Sequence, residues 1–161
     1  MSTSVLDLAE LARACAADPA TWPVTPRVDP DQRWYSRIAA DEHHEVWLIT
    51  WGPGQGTDLH DHGGAAGAFT VVAGTLTEEL PAEAGPRPGA GPNGGLFTVE
   101  AHSRGATVDF GPHHVHRLTN RGTEPALSVH VYAPRLTTMT RYELDADGLR
   151  VLGVDREGEA W

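Results

Sequence analysis

Cysteine is almost absent. Cys15 is the only one in 161 residues, so the chain has neither an intrachain disulfide framework nor a cysteine cluster for zinc or iron–sulfur. Basic charge is scarce as well: 12 Lys plus Arg against 22 Asp plus Glu leave a formal net charge of −10, which repels phosphate backbones and anionic lipid surfaces. Neither nucleic acid nor a membrane is an expected partner. No apolar run approaches the roughly 20 residues that span a bilayer, and Asp7, Glu10 and Arg13 break up any signal-peptide core at the N-terminus. A cytoplasmic protein is the expectation.

Turn formers, in contrast, are plentiful. The 18 glycines and 12 prolines favour many turns between short strands over long helices, and the length suits one domain with a sizeable core. Val5, Leu6, Leu8, Leu11 and Ala12 recur at helical spacing and predict one amphipathic helix over residues 4–17, with Ser2, Thr3 or Ser4 as N-cap and Asp18-Pro19 as a stop. Residues 19–31 read as a surface linker. Strand patterns follow at 33–38, 45–51, 68–73, 75–79, 96–101, 107–110, 115–119, 126–132, 139–144 and 149–154. This density predicts an all-β barrel or sandwich, with the N-terminal helix and linker (1–31) packed on a barrel (32–161) in a single domain. The stretch 81–95, dominated by glycine and proline, reads as an exposed connection away from any active site.

The chemistry-bearing pattern is a histidine pair, His60-Asp61-His62, followed much later by His116 at the end of an apolar strand-like run. Side chains alternate along a strand, so His60 and His62 share a face and Asp61 points away. A third ligand from His116 would give a cation three neutral nitrogens and leave open positions. The pairs His43-His44 and His113-His114 are expected at the surface instead. Gly54, His60, His62 and Gly74, then Gly105, His116 and Asn120, resemble the two motifs of the cupin superfamily, which implies a jelly-roll-type β-barrel. The position where the first motif usually carries a glutamate ligand falls at Gly67, so the resemblance is to a three-histidine cupin.

Further on, Ser128-Val-His130-Val-Tyr132-Ala-Pro134 is similar to the Ser-x-His-x-Tyr-x-Pro segment of the cysteine dioxygenases, mononuclear iron cupins. With Trp51-Gly-Pro-Gly and the histidine motifs, the likeness runs from residue 33 to residue 134. Ser128, His130 and Tyr132 share one strand face and can pass hydrogen bonds along it, while Leu127, Val129 and Val131 claim a buried face of their own. The resemblance implies Fe(II) bound by His60, His62 and His116, and catalytic roles for Tyr132, His130 and Ser128. It also implies oxidation of a small-molecule thiol, L-cysteine, by O2 to cysteine sulfinate. Upstream, Tyr35 and Arg37 match a tyrosine–arginine pair that binds the substrate carboxylate in this family, a job suited to a planar guanidinium; Arg33 lies on the same face and is an alternative partner. Replacing a carboxylate ligand by neutral imidazole leaves a ferrous ion its full double charge, which favours an anionic thiolate.

Mammalian-type members carry a cysteine bonded covalently to the tyrosine matching Tyr132. Here that cysteine's position is again Gly67, so an unmodified Tyr132 is expected, as in a bacterial-type enzyme. A cis peptide before Pro134 is expected to aim the phenol inward. Other readings stay open at this stage: a 3-mercaptopropionate dioxygenase, which typically has glutamine where Arg37 stands, a cupin of other chemistry, and a non-catalytic small-molecule-binding cupin. Oligomeric state is not legible.

Overall fold

The computed structural model describes residues 6–82 and 95–158. Among these residues one helix, α1 (Leu8–Ala17), precedes a single 3-10 turn at Pro19–Thr21. The helix begins later than the periodicity predicts because Asp7 caps it: Asp7 Oδ1 accepts a hydrogen bond from the Glu10 amide at 3.0 Å, satisfying one of the amides that the first turn leaves without a partner. The earlier cap candidates Ser2, Thr3 and Ser4 lie outside the described residues, as does most of the 81–95 stretch. Among the described residues no helix is long and apolar enough to cross a membrane.

Eleven strands follow among the described residues: β1 (Trp34–Ala40), β2 (Glu45–Trp51), β3 (Leu59–His60), β4 (Ala66–Ala73), β5 (Thr75–Pro81), β6 (Phe97–Ser103), β7 (Thr107–Phe110), β8 (Arg117–Thr119), β9 (Ala126–Ala133), β10 (Thr138–Asp145) and β11 (Gly148–Arg156). They form one five-stranded sheet in the order β1-β2-β9-β4-β7 and two three-stranded sheets, β11-β10-β3 and β6-β5-β8. The two small sheets are stitched together by isolated bridges, Gly56 opposite Thr119 and His60 opposite His116. Together they make the second wall of an all-β barrel. β3 has only two residues and was not separable by pattern; its pairing with Arg141 and Tyr142 of β10 defines it.

The five-stranded sheet is buried on both faces. Its outer face carries Val46, Leu48, Ala68, Val129 and Val131, which pack with Ala12 of α1 and are covered by the helix. Its inner face carries Trp51, Phe69, Val71 and Tyr132, which meet Leu76, Phe110 and Leu118 in the barrel interior. At about 1.5–3 kcal/mol for each large apolar side chain fully buried, these two layers dominate the stability of the fold. The period of two in β9 sorts its residues between them: Val129 and Val131 face the helix, and Ser128, His130 and Tyr132 face the barrel.

Two motif residues serve the backbone. Gly74 sits at φ 73°, and a Cβ there would lie 2.7 Å from the Pro125 carbonyl oxygen, so the turn between β4 and β5 needs glycine. Asn120 is buried and donates from Nδ2 to the carbonyls of Trp51 (2.9 Å) and Glu124 (2.8 Å), while its Oδ1 accepts from the Gly122 amide. The peptide between Ala133 and Pro134 is cis, as expected.

Candidate metal centre

His60, His62 and His116 meet in the barrel. Their ring centroids form a nearly equilateral triangle, 4.9 Å (His60–His62), 4.9 Å (His60–His116) and 5.0 Å (His62–His116), and each offers a nitrogen within 4.8 Å of the others. The backbone brings two of them together directly, since the His60 amide donates to the His116 carbonyl (2.9 Å) and the His116 amide donates back (3.1 Å). All three are buried, and burial, followed by the neighbouring imidazoles, holds His60 and His62 below the ordinary histidine range, His60 at about 3. Burial also pulls His116 down, against its contact with Glu78. Neutral imidazole is the form that binds a metal.

Hydrogen bonding fixes which nitrogen is available. His60 Nδ1 lies 2.8 Å from the Asp58 carbonyl oxygen, so Nδ1 carries the proton and Nε2 is bare. His116 Nδ1 lies 2.6 Å from Glu78 Oε2, with the same consequence. Both nitrogens of His62 are buried with no hydrogen-bond partner, an arrangement that costs about 1–3 kcal/mol in a protein interior and that a metal bond would relieve. The donor set therefore fits a metal ion. Asp61 points away, as the strand period requires: its carboxylate accepts from Gly63 N (3.0 Å), Thr140 N (3.1 Å) and Tyr142 OH (2.7 Å), tying the histidine segment to β10.

Gly67 lies opposite Tyr132 across β4 and β9. A Cβ at residue 67 would come within 2.6 Å of the Phe110 ring, and that ring stacks on His62 at 4.7 Å. The space of the missing glutamate, or of a crosslinking cysteine, is filled by an aromatic wall. Cys15 is a free thiol in α1.

A cavity of about 400 Å³ opens beside His60 and His116 and is also lined by Arg33, Tyr35, His130 and Tyr132. Its inner side carries a directed hydrogen-bond chain. Trp51 Nε1 can only donate, and it donates to Ser128 Oγ at 2.9 Å. Ser128 Oγ lies 2.7 Å from His130 Nε2 and His130 Nδ1 lies 3.4 Å from the Tyr132 oxygen; when the Ser128 hydroxyl donates to Nε2, the neutral ring carries its proton at Nδ1, facing the phenol oxygen. The Tyr132 proton remains available to the cavity. Burial keeps His130 neutral, with its pKa lowered to about 3, and pushes the Tyr132 phenol well above its usual value.

Arg37 of β1 and Arg33, just before that strand, part ways. Arg33 lines the cavity, with its guanidinium 5.2 Å from the centre of the Trp51 ring, and its charge is felt by His60, His130 and Tyr132. Arg37 is not on the cavity wall. It pairs with Glu45 at 3.4 Å and is 44% exposed. The reason is local: Arg37 sits opposite Trp47 on β2, and two residues away the buried Glu45 captures the guanidinium while holding the Leu136 amide with its other oxygen (2.7 Å). His114 also departs from expectation. It is half-buried, stacked on Phe110 at 4.6 Å and 3.4 Å from Glu78, whereas His43 is exposed as expected.

Sequence reasoning missed Trp51 as the head of the hydrogen-bond chain, and it missed Glu78. The one available signal for Glu78 was its place between Leu76 and Leu80 at the strand period.

The profile of the family "Cysteine dioxygenase type I" matches residues 2–145. Cysteine dioxygenase type 1 of Danio rerio is 27% identical over 139 residues, covering 83% of this chain and 67% of that protein. The Homo sapiens protein of the same name is 24% identical over 144 residues, covering 87% and 70%. Among solved structures, an uncharacterized conserved protein with a double-stranded β-helix domain from Klebsiella pneumoniae matches with a TM-score of 0.54 at 16% identity, over 98% of this chain and 100% of that one. An RmlC-like cupin protein from Desulfovibrio desulfuricans matches with a TM-score of 0.54 at 16% identity, over 70% and 92%. These structural likenesses support the cupin fold.

Proposed function

Since the chain belongs to the cysteine dioxygenase type I family, we propose that it is a thiol dioxygenase that binds ferrous iron through His60, His62 and His116 and converts L-cysteine and O2 to cysteine sulfinate. The observation that carries this reading is the triangle of neutral, buried imidazoles with His62 unpartnered, beside a cavity walled by Tyr132 and Arg33. A ferrous ion held there supplies a coordination site for the thiolate and for dioxygen. In the balanced reaction the thiol loses its S–H proton and both oxygen atoms finish on sulfur, so cysteine plus O2 gives the sulfinate and one proton.

The protein's own groups do the rest. Arg33 holds the substrate carboxylate through its planar fork, with Tyr35 lining the same cavity. Arg33 is preferred to Arg37 because Arg33 lines the cavity and Arg37 does not. Tyr132 donates a hydrogen bond to oxygen as it is delivered to sulfur and keeps its proton, held in aim by His130 and Ser128. The cavity admits a small thiol, and a cytoplasmic location follows from the chemistry, because thiols are kept reduced there.

The test is metal content together with sulfinate formation from L-cysteine. His116→Ala should lose iron and turnover together; full retention of both would remove the histidine assignment. Losing a charge-assisted carboxylate contact should cost about 2–5 kcal/mol of binding, so Arg33→Ala should weaken cysteine use at least about tenfold while Arg37→Ala changes it little. The reverse ranking would return the carboxylate to Arg37. Much faster oxidation of 3-mercaptopropionate than of cysteine by the wild type would show the substrate to be wrong.

A further inference from the structure

Glu78 lies on β5 with its side chain only 1% exposed, and one carboxylate faces three imidazoles. Oε2 is 2.6 Å from His116 Nδ1 and 3.4 Å from His114 Nε2, and Oε1 is 3.1 Å from His102 Nε2. A buried carboxylate carries a desolvation cost that is recovered only when its lone pairs are well satisfied. Among the described residues the satisfaction comes from these histidines, in a part of the barrel lined by Phe69 and Phe110.

The three histidines of the triangle are supported unequally. His60 leans on a neutral backbone carbonyl, His62 on nothing, and His116 on a full negative charge. An imidazole that donates Nδ1–H to a carboxylate is locked in the tautomer that presents Nε2, and its Nε2 is a stronger electron donor. Gly67 removes the glutamate that would sit directly on a cupin metal, so the ligand set itself carries no charge. Glu78 restores a negative charge one residue removed, through His116.

We propose that Glu78, clamped by His102 and His114, is a positioning residue that fixes the tautomer and ring angle of His116 and lends the three-histidine centre the negative charge its ligands lack. The inference rests on the reading of His116 as a metal ligand. A purely structural role, tying β5 to β8, is the competing account.

The experiment measures iron(II) affinity of the purified full chain by chelator competition, and the reduction potential of the bound iron, in Glu78→Gln. Glutamine keeps the size and an acceptor oxygen but removes the charge. Metal affinity is expected to fall about 10- to 100-fold, and the potential to move positive because the ferric state loses a compensating anion. Glu79→Gln, which alters the adjacent buried acid held by Arg117 and Arg121, should leave both readouts unchanged. If Glu78→Gln loses thermal stability yet keeps wild-type iron affinity and potential, the proposal is overturned and the structural account stands. If Glu78→Gln does not fold, His102→Leu and His114→Leu each remove one clamp and leave the carboxylate charged. Weaker iron binding in either supports the role, and wild-type binding in both overturns it. A His116→Ala protein that binds iron normally would instead refute the ligand assignment beneath it, so the two failures are distinguishable.

Discussion

In the proposed reaction Tyr132 depends on the hydrogen bonds behind it. When the Ser128 hydroxyl, which accepts from the Trp51 indole, donates onward to His130 Nε2, the ring's Nδ1 proton faces Tyr132 and the phenol receives rather than gives at its inner side. Burial raises the phenol pKa, so Tyr132 stays protonated throughout neutral and mildly alkaline pH and acts as a donor rather than a base. Removing one such preorganised donor typically costs about 10²-fold or more in turnover. Tyr132→Phe is therefore expected to lower kcat by about 10²-fold while iron content stays that of the wild type. Trp51→Phe, which deletes the first donor while keeping an aromatic ring on the cavity wall beneath Arg33, should lower kcat in the same direction by less. Equal kcat for Tyr132→Phe and wild type would show that the phenol proton is not used.

At the scale of elements, legibility followed from whether a residue's partner lay nearby in sequence. β9 could be read in full, since the alternation of Leu127, Val129 and Val131 with Ser128, His130 and Tyr132 announces two different buried faces, and the structure supplies the helix for one and the barrel for the other. The histidine pair was equally plain. Arg33 and Arg37 share a face, and only Glu45 on the neighbouring strand separates them. Glu78 and Glu79 looked like ordinary strand acids because their partners are 24 to 42 residues away, brought in by β6, by β8 and by the loops flanking β8. Glu79 joins β5 to β8 through Arg117 and Arg121 at the edges of a buried site. Burial disfavours its charge, yet the hydrogen bonds from the two arginines outweigh that and hold its pKa below the ordinary carboxylate value. A depressed folded pKa means stabilisation present above the unfolded value near 4.3 and lost as pH falls through the lower folded one. Both arginines are partly solvated, which reduces the effect; Glu79→Gln is expected to cost about 1–3 kcal/mol in urea unfolding at pH 7. That gap should narrow below about pH 4, and a gap independent of pH would show that charge is not its source.

For the whole molecule, the consequence of placing a neutral imidazole network inside an acidic barrel is an uneven response to pH. His130 is 2% exposed and its pKa lies at about 3, lowered chiefly by burial and then by the charges of His116 and Arg33. An unfolded histidine takes up a proton near pH 6.5, whereas the folded one refuses it until far lower pH. The unfolded chain thus binds more protons between these values, and stability must fall as pH falls through that window. Above about pH 6.5 both states are neutral at this residue and the contribution is constant. Near pH 5.5 the unfolded imidazole is mostly protonated, so His130 alone imposes a slope approaching about 1.4 kcal/mol per pH unit. This region is close to the sequence pI of about 5.2, where net charge is small and general self-repulsion contributes little. Urea unfolding of metal-free protein at pH 7, 6 and 5 should show wild-type stability falling with acidity. His130→Gln should show a profile shallower by about 1 kcal/mol per pH unit between pH 6 and 5, whatever its absolute stability. Parallel profiles for the two proteins would mean that His130 is protonated alike in the folded and unfolded chains, and the directed hydrogen-bond chain to Tyr132, which requires a neutral ring, would fall with it.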